Sequence, residues 1–224
     1  MKKFIVSLMV LGLALMATSA LAEGLGPNEL TNGNFATDLT GWSTLDGHAT
    51  FTVFSPNAFT HYAGSNTHSD SEYGIYQIID ESQTPGWLPD GTAKNWRVDL
   101  DYALAGSAGA ELHILYWPTN GGSAPTLTEV GDTFPGWTNL LSVGFSNTDG
   151  VFTHYTESGT VEELQPQWIA YVLEGSVDAI PPATGSFYFA NNDFEAQCVP
   201  LPPSVWLLGS GLLGLLGFRR KFGK

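Results

Sequence analysis

Between Trp96 and Leu104 the chain alternates residue by residue. Trp96, Val98, Leu100, Tyr102 and Leu104 share one side, and Arg97, Asp99, Asp101 and Ala103 share the other. Only an extended strand sends successive side chains to opposite faces. This period of two therefore predicts a strand with one face in a core and the other in water. The pattern recurs at 110–116, where Leu112, Ile114 and Tyr116 alternate with Glu111, His113 and Leu115. Further strands are predicted at 49–54, 74–79, 138–145, 151–158, 167–173 and 186–196, with Gly, Asn, Asp and Pro in the gaps. No heptad and no long helical period competes with them. Short strands in this number, separated by turn signals, predict an all-β fold, an antiparallel β-sandwich. Long polar loops are expected at 61–73, 81–95 and 118–137, and loops of that length in a compact domain are commonly functional or mobile.

The two ends follow different rules. Residues 1–22 begin with Lys2 and Lys3, continue with an apolar run from Phe4 to Met16 and close on Ala20-Leu21-Ala22. That order is the layout of a secretory signal peptide, a substrate of the secretion translocon and signal peptidase. Near the other end, an uncharged run from Leu201 to Phe218 holds seven Leu, one Val and one Phe. These favour membrane insertion by about 3–5 kcal/mol before the Gly residues are set against it. A transmembrane helix is predicted at 204–218, with a basic tail at 219–224 held in the cytoplasm by the positive-inside rule. Residues 198–203 form a linker and Pro motif, which leaves 23–197 as the β-sandwich domain.

Val199-Pro200-Leu201-Pro202, the helix beginning Val205-Trp206-Leu207-Leu208-Gly209-Ser210-Gly211, and the stop Arg219-Arg220-Lys221 together resemble the PEP-CTERM sorting signal of Gram-negative bacteria. The motif takes a Val-Pro-Leu-Pro form, without the Glu of Pro-Glu-Pro. The resemblance implies recognition by an exosortase, a membrane-embedded cysteine transpeptidase, and cleavage near the Pro motif. It further implies transient anchoring in the inner membrane with the body in the periplasm, then delivery to the cell surface or extracellular polysaccharide. Val199, Pro200, Leu201, Pro202, Arg219, Arg220 and Lys221 are the residues it assigns to sorting.

Charge narrows the partners of the body. Its only cations are Lys94 and Arg97, against all 22 Asp and Glu of the chain, a formal charge of −20. Such a surface repels nucleic acid and anionic lipid. It suits a milieu whose divalent cations neutralise clustered carboxylates. Cys198 is the single cysteine, so no intrachain disulfide contributes to stability.

The opening of the body, Asn32-Gly33-Asn34-Phe35 and then Gly41-Trp42, resembles the first strand of carbohydrate-binding-module and galactose-binding-like jelly rolls. The resemblance implies that the first and last strands lie side by side. Asn34 would then come near Asp193, which follows Phe187-Tyr188-Phe189 and Asn191-Asn192. A structural calcium ion is the metal implied there, although Ala36 stands where the family carries a carboxylate. Trp87 and Trp137 each sit in a Pro-Gly-Trp loop and are the candidate carbohydrate-binding residues, because a flat ring stacks on a sugar. Trp42 and Trp96 are expected in the core. The histidines show no metal-ligand spacing, although His61 and His68 share a loop with Asp70 and Glu72. No nucleophile elbow, phosphate loop or dinucleotide fingerprint occurs. The expected function is that of an exported, non-enzymatic surface or matrix protein, with polysaccharide as a candidate partner. Two other functions stay open. One is a matrix subunit bridged by calcium. The other is a weak exopolysaccharide hydrolase, which needs paired carboxylates about 5–10 Å apart in an open groove.

Overall fold

The alternating segment becomes β5 (Lys94–Gly106), hydrogen-bonded to a neighbour on each side. The computed structural model describes residues 28–36, 38–46, 51, 53–54, 57–62, 71–83, 94–161, 166–177 and 185–198. These belong to one unit, Leu25–Cys198. The signal segment 1–22, Trp87, His68, and all residues from Val199 onward, with the sorting residues and the 204–218 helix, lie outside the described residues. Among the described residues no helix is long and apolar enough to cross a membrane.

Two five-stranded sheets, antiparallel throughout, make an all-β sandwich. Sheet 1 runs β1 (Ser43–Thr44), β4 (Ser71–Asp80), β9 (Trp168–Val177), β6 (Ala108–Tyr116), β7 (Thr138–Phe145). Sheet 2 runs β2 (Val53–Phe54), β3 (Asn57–Tyr62), β10 (Gly185–Cys198), β5, β8 (Thr153–Val161). Trp96, Val98, Leu100 and Leu104 of β5, with Phe187, Phe189 and Phe194 of the neighbouring β10, share one core with Ile169, Tyr171 and Leu173 of β9 in the other sheet. Each of these side chains contributes about 1.5–3 kcal/mol by leaving water. Trp96 is buried as expected, and Trp42 is half-buried against Phe35 and Tyr171.

Sheet 1 has a second apolar layer on its outer side. In β9, Trp168, Ala170 and Val172 point away from the sandwich core, so this strand is apolar on both faces. The connection from β6 to β7, residues 117–137, folds over that face. It contributes Leu127, Phe134 and Trp137 to a cluster with Leu45, Leu115 and Trp168. The turn that brings Trp137 inward needs Gly136 at a φ of 85°, and a Cβ there would lie 2.7 Å from the Trp117 ring.

Several boundaries differ from expectation. The opening segment is a turn rather than a strand, but it still runs against β10. Glu29 N donates to Phe194 O, Phe194 N to Asn28 Oδ1, and Asn192 N to Gly33 O. It meets β10 where Asn191 and Asn192 bulge out of register, between the pairs Ala190↔Asp101 and Asp193↔Asp99. A bulge interrupts the ladder there, and Asn191 takes a φ of 51°, a left-handed value that Asn tolerates. Within 49–54, the described strand is only β2. His61 and Tyr62 belong to β3, and β4 begins at Ser71, so strands occupy both ends of the loop expected at 61–73. β5 reaches back to Lys94, inside the loop expected at 81–95, because Lys94 is drawn inward to Glu81.

Candidate metal centre

The outer face of sheet 1 carries one polar gap in its apolar cover. Glu111 and His113 are two residues apart on β6, so both side chains project from that face. Glu111 is the direct cross-strand partner of Glu174 on β9. Like charges directly opposite each other on a sheet are destabilising, so the pairing needs a positive partner. His113 lies one step along. Its Nε2 is 3.0 Å from Glu174 Oε2 and 3.3 Å from Glu111 Oε2.

The imidazole is held on its other sides. Its Nδ1 shares a 3.0 Å hydrogen bond with Ser142 Oγ, from the residue opposite it on β7. The ring of Phe134, from the 117–137 connection, packs edge-on against it with centroids 5.2 Å apart. His113 is 6% exposed, and among the described residues neither its Nε2 nor Glu174 Oε1 makes an aligned hydrogen bond. One ligand atom from each of Glu111, His113 and Glu174 fits in a group within 4.8 Å of one another. They line a pocket of about 120 Å³ together with Glu72, Glu129 and Asp132. Five carboxylates and one imidazole thus line one small space, with no Lys or Arg among its described lining residues. That donor set, one nitrogen and several oxygens, is one that divalent metals accept.

The residues expected to act are placed as follows. Trp137 is 9% exposed, and its Nε1 donates to Thr126 O. This corrects its assignment to sugar stacking: its ring has Trp117 edge-on at 5.4 Å and belongs to the apolar layer, so it offers no open face. Trp87 lies outside the described residues. Asn34 and Asp193 do come together, lining one depression with Asn32, Asn191 and Asn192. Among the described residues Asp193 is the only carboxylate lining it. Burial pushes its carboxyl up, Glu195 and Asp99 push it further, and Arg97 opposes them. Glu72, expected in a loop with two histidines, instead lies on β4 and lines the Glu111–His113–Glu174 pocket.

Glu111 and His113 stood on the polar side of a predicted strand, and their spacing was the available signal. Glu174 fell one residue beyond the strand predicted at 167–173. Its approach to Glu111 depends on a register spanning 63 positions, which no local pattern reveals. The two glutamates also do not form the open pair that a glycosidase needs, because the His113 nitrogen stands between them.

No protein-family profile matches the chain, and no curated protein matches it in sequence. Solved structures of similar fold include a carbohydrate-binding module of family 61 in complex with β-1,4-galactotriose. It is 11% identical, with a TM-score of 0.44, over 78% of this chain and 100% of that one. A carbohydrate-binding module of family 4 is 13% identical, with a TM-score of 0.44, over 75% of this chain and 99% of that one. A Stig cyclase from Fischerella sp. TAU is 14% identical, with a TM-score of 0.41, over 78% of this chain and 98% of that one.

Proposed function

We propose that this protein is an exported, non-enzymatic β-sandwich module that holds a divalent cation between Glu111, His113 and Glu174. The observation that carries the reading is the buried His113 nitrogen, which lies within 3.0–3.3 Å of two carboxylates yet makes no aligned hydrogen bond among the described residues. Titration of the chelator-treated, detergent-purified full chain with ZnCl2, MnCl2 and CaCl2 tests it. At about 100 times the dissociation constant, a bound ion will stabilise the fold by about 2.7 kcal/mol. The Glu111→Gln/Glu174→Gln double variant will lose that shift. Asp193→Asn will keep it, which separates this pocket from the depression at Asn34 and Asp193, where a calcium ion would be a distinct second site. A shift that survives in the double variant, or is absent with all three salts, sinks the reading.

Export and sorting complete the proposal, and they rest on the two ends of the sequence. The signal peptide takes the body across the inner membrane. The 204–218 helix holds it there, and an exosortase cuts at the Val199-to-Pro202 motif to release it to the cell surface or matrix. Replacing Arg219, Arg220 and Lys221 with Ala will trap full-length protein in the membrane fraction of an exosortase-positive host. Unchanged mass and location would count against this route.

Polysaccharide binding is a second reading, favoured by the outer face of sheet 2. Phe152 is 46% exposed, its ring lies 6.1 Å from that of Tyr188, and Ala103 lies between their strands. In the next row Asp101 accepts from Asn191 Nδ2 at 2.8 Å and contacts His154 Nδ1 at 2.9 Å. An aromatic pair beside amide, imidazole and carboxylate groups is the chemistry that takes a sugar ring and its hydroxyls. Retardation of the protein in gels cast with the host's exopolysaccharide will be lost in Phe152→Ala. Equal retardation of both proteins would remove this reading.

A further inference from the structure

The cation pocket rests on the reading above, and its ligand chemistry narrows the ion further. We infer that the site selects a nitrogen-accepting dication such as Zn2+ over the oxygen-preferring Ca2+ and Mn2+, with His113 Nε2 as the selecting atom.

Calcium takes six to eight oxygen ligands and has little use for a nitrogen. Imidazole suits zinc, copper, iron and nickel, which accept fewer ligands and mixed nitrogen and oxygen donors, whereas manganese, like calcium, prefers oxygen. The pocket supplies carboxylates enough to attract either kind of ion: Glu72, Glu111, Glu129, Asp132 and Glu174 all line it. Only Glu111 and Glu174, however, place ligand atoms in the compact group, and the third member is the nitrogen. A calcium ion at that centre would meet two carboxylates, and the buried imidazole would occupy a coordination position without filling it well. A nitrogen-accepting ion such as Zn2+ would use all three.

The imidazole is also prepared for this. When Nδ1–H is donated to Ser142 Oγ, Nε2 retains its lone pair and points at the carboxylates. This is the arrangement by which outer partners fix the tautomer and ring angle of metal-bound histidines. Phe134 holds the ring from the side of the 117–137 connection. The residue is 6% exposed, so little of it is free to turn away. Three protein ligands leave at least one coordination position for water or for an external group.

The test compares ZnCl2, MnCl2 and CaCl2 by calorimetric titration of the chelator-treated full chain and three variants. His113→Gln removes the nitrogen but leaves an amide oxygen within reach of the same space. Ser142→Ala removes only the positioning contact. The Glu111→Gln/Glu174→Gln variant removes the carboxylates. Zn2+ should bind one per chain, about 100-fold or more tighter than Ca2+, with Mn2+ falling between the two. His113→Gln should abolish that preference while leaving Ca2+ binding within about threefold, and Ser142→Ala should weaken Zn2+ about 10-fold without changing the order of ions. Circular dichroism of each variant will check that the fold is retained. Calcium binding as tightly as zinc, with both unaffected by His113→Gln, overturns the selectivity but leaves a cation site. Binding of no dication, or binding indifferent to the loss of both glutamates, overturns the underlying reading itself.

Discussion

Replacing Lys94 with methionine will destabilise the protein by about 3–5 kcal/mol, the usual cost of leaving one member of a buried ion pair alone. Lys94 sits at the inner start of β5, and its Nζ contacts Glu81 Oε2 directly, with both side chains 0% exposed. Glu81 opens the short 3-10 turn Glu81–Gln83, and its backbone N–H donates to Gln167 O. Glu81 is thus pinned in place by its backbone and cannot swing into water when its partner is lost. A second carboxylate is close. Burial pushes the Glu29 carboxyl up, Glu81 adds to that shift, and Lys94 pulls it back. Removing the ammonium therefore leaves the Glu81 repulsion on Glu29 without the Lys94 attraction that opposes it. The double replacement Lys94→Met/Glu81→Leu will recover most of the loss, because it removes both charges. Urea denaturation at constant slope measures both effects. A loss below about 1 kcal/mol for the single variant would mean that the pair behaves as a surface pair.

Phe187→Ala will cost a comparable amount, about 3–5 kcal/mol, through lost burial and the cavity left behind. The ring is fully buried. It meets Phe51 and Tyr73 at centroid distances of 5.5 Å and Phe189 at 6.4 Å, all tilted or edge-on. Its face lies against the bare backbone of Gly175 on the opposite sheet, where a Cβ would come within 2.4 Å of the ring. Gly175 and Phe187 therefore set the separation of the two sheets together. Gly175→Ala approaches the same contact from the other side and will cost about 1–3 kcal/mol by overpacking. Since the two changes share one contact, their combination will cost less than the sum of the singles. Strict additivity in the double variant would show that the contact is not what holds the sheets apart.

That glycine also explains a boundary the chain concealed. Glu174-Gly175-Ser176 has the composition of a turn, so the strand at 167–173 was expected to stop before it. The glycine instead sits inside β9 to make room for Phe187, and the strand carries Glu174 on to Glu111. The alternation in β5 was legible because a period of two reports directly which side chains share a face. The inward position of Trp137 was not. Pro135-Gly136-Trp137 is a true turn, but whether a turn's aromatic faces water depends on what lies beneath it. Here that is the outer side of β9, apolar in Trp168, Ala170 and Val172. The meeting of Asn34 and Asp193 was anticipated by resemblance, although a turn stands where a strand was expected.

The last strand has a mechanical consequence. β10 pairs with β5 from Gly185↔Gly106 to Cys198↔Lys94, antiparallel along its whole length apart from the bulge. The residue after Cys198 begins the proposed anchor and cleavage segment. Tension applied at Cys198 parallel to β10 would enter a strand in the middle of its sheet. It loads the cross-strand hydrogen bonds in shear, many at once, where a pull across the strands would open them one by one. While tethered, the module would resist being drawn out of its fold, and resistance of that kind is set by the rate of unfolding rather than by equilibrium stability. Asn28 and Glu29, bonded to Phe194 from the side away from β5, brace the same stretch that the tether pulls.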